Sequence, residues 1–285
     1  MFQWGLRTYV MGIINVTPDS FSGDGVAAIG DDDPIERAVT QAQLFIDEGA
    51  DILDIGGEST RPGSRPVTAH EEKARIVPAI QAIRVALPNS VISVDTYRAE
   101  VAEAALDAGA NWVNDVWGLR MDPAMAELIA ERNCPIIIMH NRSKPKDAVQ
   151  EERLGGRYMG IHYANLMVDI KTELSEQVDL AVAAGVRPEH IIIDPGIGFG
   201  KTVEQNLEVL DRMNELKVLG FPLLSGPSRK SFIGYTLDSP PDQRLEGTAA
   251  AVAISIARGA DIVRVHDVGP MVRIARMTDA IVRRS

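Results

Sequence analysis

Polar residues with catalytic potential recur just past short apolar runs along this chain. Asp95 follows Val91–Val94, Asn114 follows Trp112–Val113, and Asp194 follows Ile191–Ile193. Two carboxylates and an amide at one mouth would match the donor edge of a flat, amino-substituted heterocycle. A second set is basic: Lys230 within Ser228-Arg229-Lys230-Ser231, and Arg264 with His266 on the last run. In an acidic chain these residues suit a phosphoryl group. Each has a plainer reading. An Asp, Asn or Ser after a strand also caps helices and forms turns, and Arg264, between Val263 and Val265, could pair with Asp95 or Asp267 inside the fold.

Other residues divide between chemistry and packing. Phe21 lies in a loop with Gly23 and Gly25 and reads as a substrate lid. Glu58, in Gly56-Gly57-Glu58-Ser59-Thr60, could act as a base or hold loop amides. The string Gly196 to Lys201, Gly-x-Gly-x-Gly-Lys, resembles a phosphate loop only weakly, because the four-residue gap is missing. Trp112 and Trp117 read as core or lid packing, and Cys134, ahead of Pro135, as structural.

The elements that must position these groups are eight short Val- and Ile-rich runs, the pattern of buried parallel strands. They are Tyr9–Ile14, Ile52–Ile55, Val91–Val94, Trp112–Val113, Ile136–Met139, Ile191–Ile193, Pro222–Leu224 and Ile262–Val265. Helical stretches lie between them: Pro34 opens one, Gly49 and Gly109 stop others, and Asp122-Pro123 starts another. A module of glycine, small residue and strand recurs at Gly49-Ala50-Asp51-Ile52, Gly109-Ala110-Asn111-Trp112 and Gly259-Ala260-Asp261-Ile262, with a looser copy at Gly185. No Gly-x-Gly-x-x-Gly turn follows the first run. The pattern therefore predicts an α/β fold, a single (β/α)8 TIM barrel over residues 1–285, rather than an open doubly wound sheet. The stretch from His140 to Ala184 is too long for one connection and predicts an exposed loop leading into a helix from Tyr158 to Ala184. In such barrels the carboxyl ends of the strands carry the active site, which is where the polar residues fall.

Composition bounds the partners. The 285 residues carry a formal net charge of −11, so neither nucleic acid nor an anionic membrane is an expected partner. One cysteine excludes an intramolecular disulfide and a Cys-rich zinc site. Met1–Arg7 lacks the pattern of a signal peptide, and apolar runs such as Ala249–Ala257 are far shorter than the roughly 18 residues of a membrane span. The expectation is a soluble, unprocessed, cytoplasmic protein acting on small molecules.

Taken in order, Met11-Gly12-Ile13-Ile14-Asn15-Val16-Thr17-Pro18-Asp19-Ser20-Phe21-Ser22, Asp54-Ile55-Gly56-Gly57-Glu58-Ser59-Thr60-Arg61-Pro62-Gly63, Ser93-Val94-Asp95-Thr96, Asn114-Asp115, Asp194-Pro195-Gly196-Ile197-Gly198-Phe199, Ser228-Arg229-Lys230-Ser231 and Arg264-Val265-His266-Asp267 resemble the dihydropteroate synthase family of pterin-binding enzymes. The resemblance spans nearly the whole chain. It implies a sulfonamide-target transferase of folate biosynthesis, joining (7,8-dihydropterin-6-yl)methyl diphosphate to 4-aminobenzoate with release of diphosphate. It implies that Asp95, Asn114, Asp194 and Lys230 hold the pterin, with Met139 and Phe199 packed on it. Thr60, Arg264 and His266 would belong with the diphosphate, and Asn15 with Mg2+. Phe21, Arg61, Pro62, Phe199 and Ser231 would shape the aminobenzoate pocket. By the same resemblance carbon–oxygen cleavage comes first, Asp95, Lys230, Arg264 and His266 are the catalytic set, and the enzyme is a homodimer through helices of its last third.

Two positions depart from the family pattern: Ser143 follows Met139-His140-Asn141-Arg142 where glycine is common, and Gly23 precedes Asp24 in the first loop. Competing readings are a pterin-dependent methyltransferase component, against which Lys230 and Ser231 speak, and a catalytically silent pterin-binding paralogue.

Overall fold

A computed structural model describes residues 2–17, 33–58, 67–143, 148–149, 151, 153–158 and 161–283. Eight parallel strands form its sheet: β1 (Tyr9–Asn15), β2 (Ile52–Gly56), β3 (Val91–Asp95), β4 (Trp112–Asp115), β5 (Ile136–Met139), β8 (Ile191–Asp194), β9 (Leu224–Ser225) and β10 (Ile262–Val265). Their order is β8-β5-β4-β3-β2-β1-β10-β9. A parallel bridge between Ile193 and Leu223 closes the ring, with the Ile193 N–H donating to the Pro222 carbonyl at 3.0 Å. The closed barrel predicted from the recurring runs is the fold.

Around the barrel run α1 (Pro34–Glu48), α2 (Ala69–Ala86), α3 (Ala99–Asp107), α4 (Ala124–Arg132), α5 (Leu166–Ala183), α6 (Val203–Arg212), α7 (Ser231–Leu237), α8 (Leu245–Ala257) and α9 (Val268–Val282). Local chemistry sets their ends. Asp33 caps α1 through the Ile35 N–H, with Pro34 in the first turn, and Gly49 ends it at φ 100°. Thr68 with Glu71 and Thr202 with Gln205 form capping boxes on α2 and α6. The long helix predicted from Tyr158 instead begins at Leu166, because the Asn165 side chain accepts from the Val168 N–H and caps it there. Tyr158 belongs to a short antiparallel hairpin, β6 (Ala148–Val149) with β7 (Arg157–Tyr158). This insertion reaches α7: Tyr235 Oη donates to Glu151 Oε2 at 2.7 Å and lies 3.1 Å from the Gly155 carbonyl.

Side chains on a strand alternate between faces, and in this barrel the alternation separates two cores. Residues such as Val10, Leu53, Ile55, Ile92, Val113 and Ile136 pack in the layer between strands and helices. Tyr9, Met11, Ile52, Trp112, Ile137, Ile192, Leu224 and Ile262 fill the barrel interior. Phe2 closes the amino end, with ring centroids 4.6 Å from Tyr9 and 4.9 Å from Trp112. Trp112 is thus core, as its sequence context predicts. One pleat further along the same faces, Ile52 gives way to Asp54, Trp112 to Asn114, Ile137 to Met139, Ile192 to Asp194 and Ile262 to Arg264. Six of the eight strands run one or two residues beyond the apolar runs, and Asp95, Asn114 and Asp194 are among the added residues, whereas Asp54 and Arg264 lie inside their runs.

Candidate active site

Two carboxylates grip Arg264 at the carboxyl end of the barrel. Its Nε donates to Asp54 Oδ2 at 2.6 Å and its Nη2 to Asp95 Oδ2 at 2.6 Å. The pairing with Asp95 considered from sequence is therefore present, while Asp267 pairs with Arg229 instead. Asp54 Oδ2 also accepts from Asn114 Nδ2 at 3.0 Å, which fixes the amide's orientation. Asp54 is fully buried, and its Oδ1 has no hydrogen-bond partner among the described residues. In the sequence Asp54 is inconspicuous, because Leu53 and Ile55 flank it. The signal that finds it is the internal repeat, in which Asp54, Asn114 and Arg264 occupy the same place, five residues after Gly49, Gly109 and Gly259.

Burial sets the electrostatics of this layer. It pushes the Asp95 carboxyl up to about 7 against the pull of Arg264, with Asp54, Glu72 and Asp115 adding repulsion. Asp194 is likewise raised by burial, opposed by Lys230 and by the Gly196 N–H, which donates to its Oδ1 at 2.6 Å. Lys230 is pushed down to about 7 by burial, with Asp194 opposing. Perturbed acids and bases gathered in one mouth are a mark of a functional site. Asp115 shows the contrasting case. Its oxygens accept the Trp117 and Leu119 N–H groups at 2.8 and 2.7 Å, so it is the turn former that such a residue often is.

Three loops bring the remaining groups together. Lys230 Nζ donates to the Ile197 carbonyl and stands 4.4 Å over the Phe199 ring. Gly198 lies at φ +81°, and a Cβ there would collide with the stem of Lys230. The glycines after β8 thus permit close approach of chain segments rather than cradling phosphate, and Lys201 is 98% removed from solvent. The loops after β9 and β10 are latched to each other twice. Ser228 Oγ lies 3.0 Å from His266 Nδ1 and accepts the His266 N–H at 3.1 Å. Arg229, at φ 54°, binds both oxygens of Asp267 at 3.0 and 2.5 Å. Ser231 opens α7 directly after Lys230. Beyond β5, Asn141 Oδ1 accepts from the Ser143 N–H and Oγ at 2.9 and 2.6 Å, so Ser143 ends a local turn.

Met139 ends β5 in register with Asp194. Glu58 is tied to Arg98 at 2.6 Å and is not a lone base, and the loop amides it could hold lie outside the described residues. Phe21, Thr60, Arg61 and Pro62 lie outside the described residues. Asn15 ends β1, half-buried, two residues past Ile13, the register partner of Asp54. Among the described residues no group of three or more His, Cys, Asp or Glu could hold a metal. A single amide oxygen beside the Arg264–carboxylate layer nevertheless fits Mg2+, a hard ion that keeps several waters and takes its other ligands from substrate phosphates.

The sequence pattern of the family described as pterin binding enzyme matches residues 11–266. Dihydropteroate synthase of Clostridium beijerinckii is 49% identical over 284 residues, covering 99% of this chain and 97% of its own, and that of Bacillus subtilis is 48% identical over 98% and 90%. Among solved structures, the dihydropteroate synthase of Clostridium difficile, crystallised in the presence of pteroic acid, is 47% identical with a TM-score of 0.88 over 100% of both chains. That of Xanthomonas albilineans in complex with 7,8-dihydropteroate is 36% identical with a TM-score of 0.83, over 98% of this chain and 95% of its own. No helix among the described residues is long and apolar enough to cross a membrane. The chain belongs to the pterin-binding enzyme family and, within it, to the dihydropteroate synthases, transferases of folate synthesis.

Proposed function

We propose that this chain, as one domain, condenses (7,8-dihydropterin-6-yl)methyl diphosphate with 4-aminobenzoate to give 7,8-dihydropteroate and diphosphate. The carrying observation is the charged layer at the carboxyl ends of the strands, in which Arg264 joins Asp54 and Asp95, Asn114 is bound to the same Asp54, and Lys230 acts on the charge of Asp194 and Asp95. Asp95 and Asp194 accept the amino and ring N–H groups of the pterin, Asn114 offers its amide oxygen, and Lys230 donates to a ring acceptor. Met139 and Phe199 pack on the ring faces. Arg264, His266 and Thr60 hold the diphosphate, while Phe21, Arg61, Pro62, Phe199 and Ser231 enclose the aminobenzoate.

In this reading the methylene carbon–oxygen bond breaks first and its electron pair leaves with the diphosphate. The aminobenzoate nitrogen then attacks the methylene, the carbon–nitrogen bond forms, and the nitrogen releases a proton to solvent. Arg264 and His266 stabilise the growing negative charge, and Asp95 stabilises the positive charge spreading over the pterin. Asn15 would hold Mg2+, which when bound supplies further charge neutralisation on the diphosphate oxygens. No side-chain nucleophile is needed. A homodimer through the helices of the last third completes the reading; Ile254 on α8 and Met277 on α9 expose apolar surface there.

The test is incubation with the dihydropterin diphosphate, 4-aminobenzoate and Mg2+, following dihydropteroate and pyrophosphate together. Product dependent on both substrates is expected. Tight pterin binding without product would replace this reading with that of a silent paralogue.

A further inference from the structure

A buried charge chain that the reaction does not use runs behind the pterin layer. Lys201 is 2% exposed, and its ammonium makes three contacts: the Gly196 carbonyl at 3.0 Å, the Phe199 carbonyl at 3.1 Å and His140 Nδ1 at 3.1 Å. Burial pushes its amine down to about 7, with Asp194 opposing, and none of the three groups it contacts is a carboxylate. With Nδ1 accepting, the His140 proton sits on Nε2 and faces Glu173 Oε2 at 3.1 Å. Glu173 is in turn held by Arg142 Nε at 2.6 Å from its Oε1. Burial and the neighbouring Lys201 hold His140 down at about 4, so its ring is neutral and able to accept.

Burying an ammonium without a carboxylate partner is costly, and an apolar side chain of similar volume would fill the same space. What these contacts achieve is local. The two carbonyls it holds bracket Ile197-Gly198, where the Ile197 carbonyl accepts from Lys230, and they include that of Phe199, whose ring lies under the Lys230 amine. We propose that Lys201, oriented by His140 and Glu173, is a positioning residue that sets the turn after β8 so that Ile197 and Phe199 hold Lys230 against the pterin. The inference rests on the reading of Lys230 as a pterin contact.

The experiment compares Lys201→Met, Lys230→Met and the double variant. Pteroic acid binding is measured by calorimetry, pyrophosphate inhibition by steady-state kinetics, and folding by thermal unfolding. Lys201→Met is expected to weaken pteroic acid binding 10- to 100-fold and to leave pyrophosphate inhibition within twofold. The double variant should bind no more than about threefold more weakly than Lys230→Met, since residues acting through one another are not additive. Normal pteroic acid affinity in Lys201→Met, or losses that multiply in the double variant, would overturn the inference and leave the site reading standing. Normal affinity in Lys230→Met would overturn the site reading itself. If Lys201→Met does not fold, Glu173→Gln carries the test: it keeps Lys201 but loosens His140, and a loss of three- to tenfold is expected. Unchanged affinity in Glu173→Gln would then overturn the inference.

Discussion

Arg264 Nε lies 2.6 Å from Asp54 Oδ2, so a guanidinium on β10 and a fully buried carboxylate on β2 meet across β1. The same oxygen accepts the Asn114 amide. One carboxylate therefore orients both a cation assigned to the diphosphate and an amide assigned to the pterin. Breaking a buried pair by removing one partner leaves the other charge uncompensated and costs about 3–5 kcal/mol. Asp54→Ala should lose that much stability in urea unfolding and most of its turnover, whereas Asp54→Asn, which keeps an acceptor oxygen, should lose less of each. A loss under about 1 kcal/mol in Asp54→Ala would show that Asp95 alone anchors Arg264.

The Asp95 carboxyl gives a pH dependence with a definite sign. Burial moves it from 3.8 to about 7. Between those values the folded chain holds a proton that the unfolded chain has released, so this group's contribution to stability is full below the lower value and declines as pH rises through the window. Asp95→Asn removes the titration. Measured as urea midpoints at pH 4 and pH 8, the variant should gain stability relative to the parent as pH rises, while its turnover is lost. A variant that instead loses stability relative to the parent between pH 4 and pH 8 would mean that Arg264 outweighs burial and holds the carboxylate charged.

Much of this arrangement is legible in the sequence, for reasons that differ by element. The eight runs are readable because each barrel strand is buried on both faces, and the ends of those runs display Asp95, Asn114 and Asp194. Asp54 is hidden by its apolar neighbours, since a period-2 face is weakly visible in a strand of five residues. The start of α5 at Leu166 depends on the Asn165 cap, whereas the preceding Arg157–Tyr158 strand pairs over only two residues and leaves no periodicity to read. Lys201 follows a glycine string like that of a phosphate loop, and only its three buried contacts assign it to the chain behind the site. The latch between Ser228 and His266 joins residues 38 apart in sequence, beyond the reach of local pattern.

That latch predicts a second-site effect on the leaving group. Ser228 Oγ meets both the ring and the main-chain N–H of His266. A net hydrogen bond contributes about 0.5–1.5 kcal/mol, so Ser228→Ala should weaken pyrophosphate inhibition roughly tenfold by releasing His266, with thermal stability little changed. Pteroic acid affinity should hold, because Lys230 and Asp194 keep their partners. Unaltered pyrophosphate inhibition would remove His266 from the diphosphate assignment.

Gly198 and Gly220 offer a matched pair for the contact with Lys230. Both have φ +81°, so a side chain at either meets the same left-handed torsion, worth about 1–2 kcal/mol. They differ in their surroundings. A Cβ at Gly220 would have nothing within 4 Å, whereas one at Gly198 would collide with the Lys230 stem. Gly220→Ala should therefore lose only about 1 kcal/mol and bind pteroic acid normally. Gly198→Ala should lose more stability and at least tenfold in pteroic acid affinity, because the ammonium is pushed off the Ile197 carbonyl and the Phe199 ring. If the two variants bound pteroic acid alike, the path of Lys230 over Gly198 would not matter to the pterin, and the lysine would have to reach it from another side.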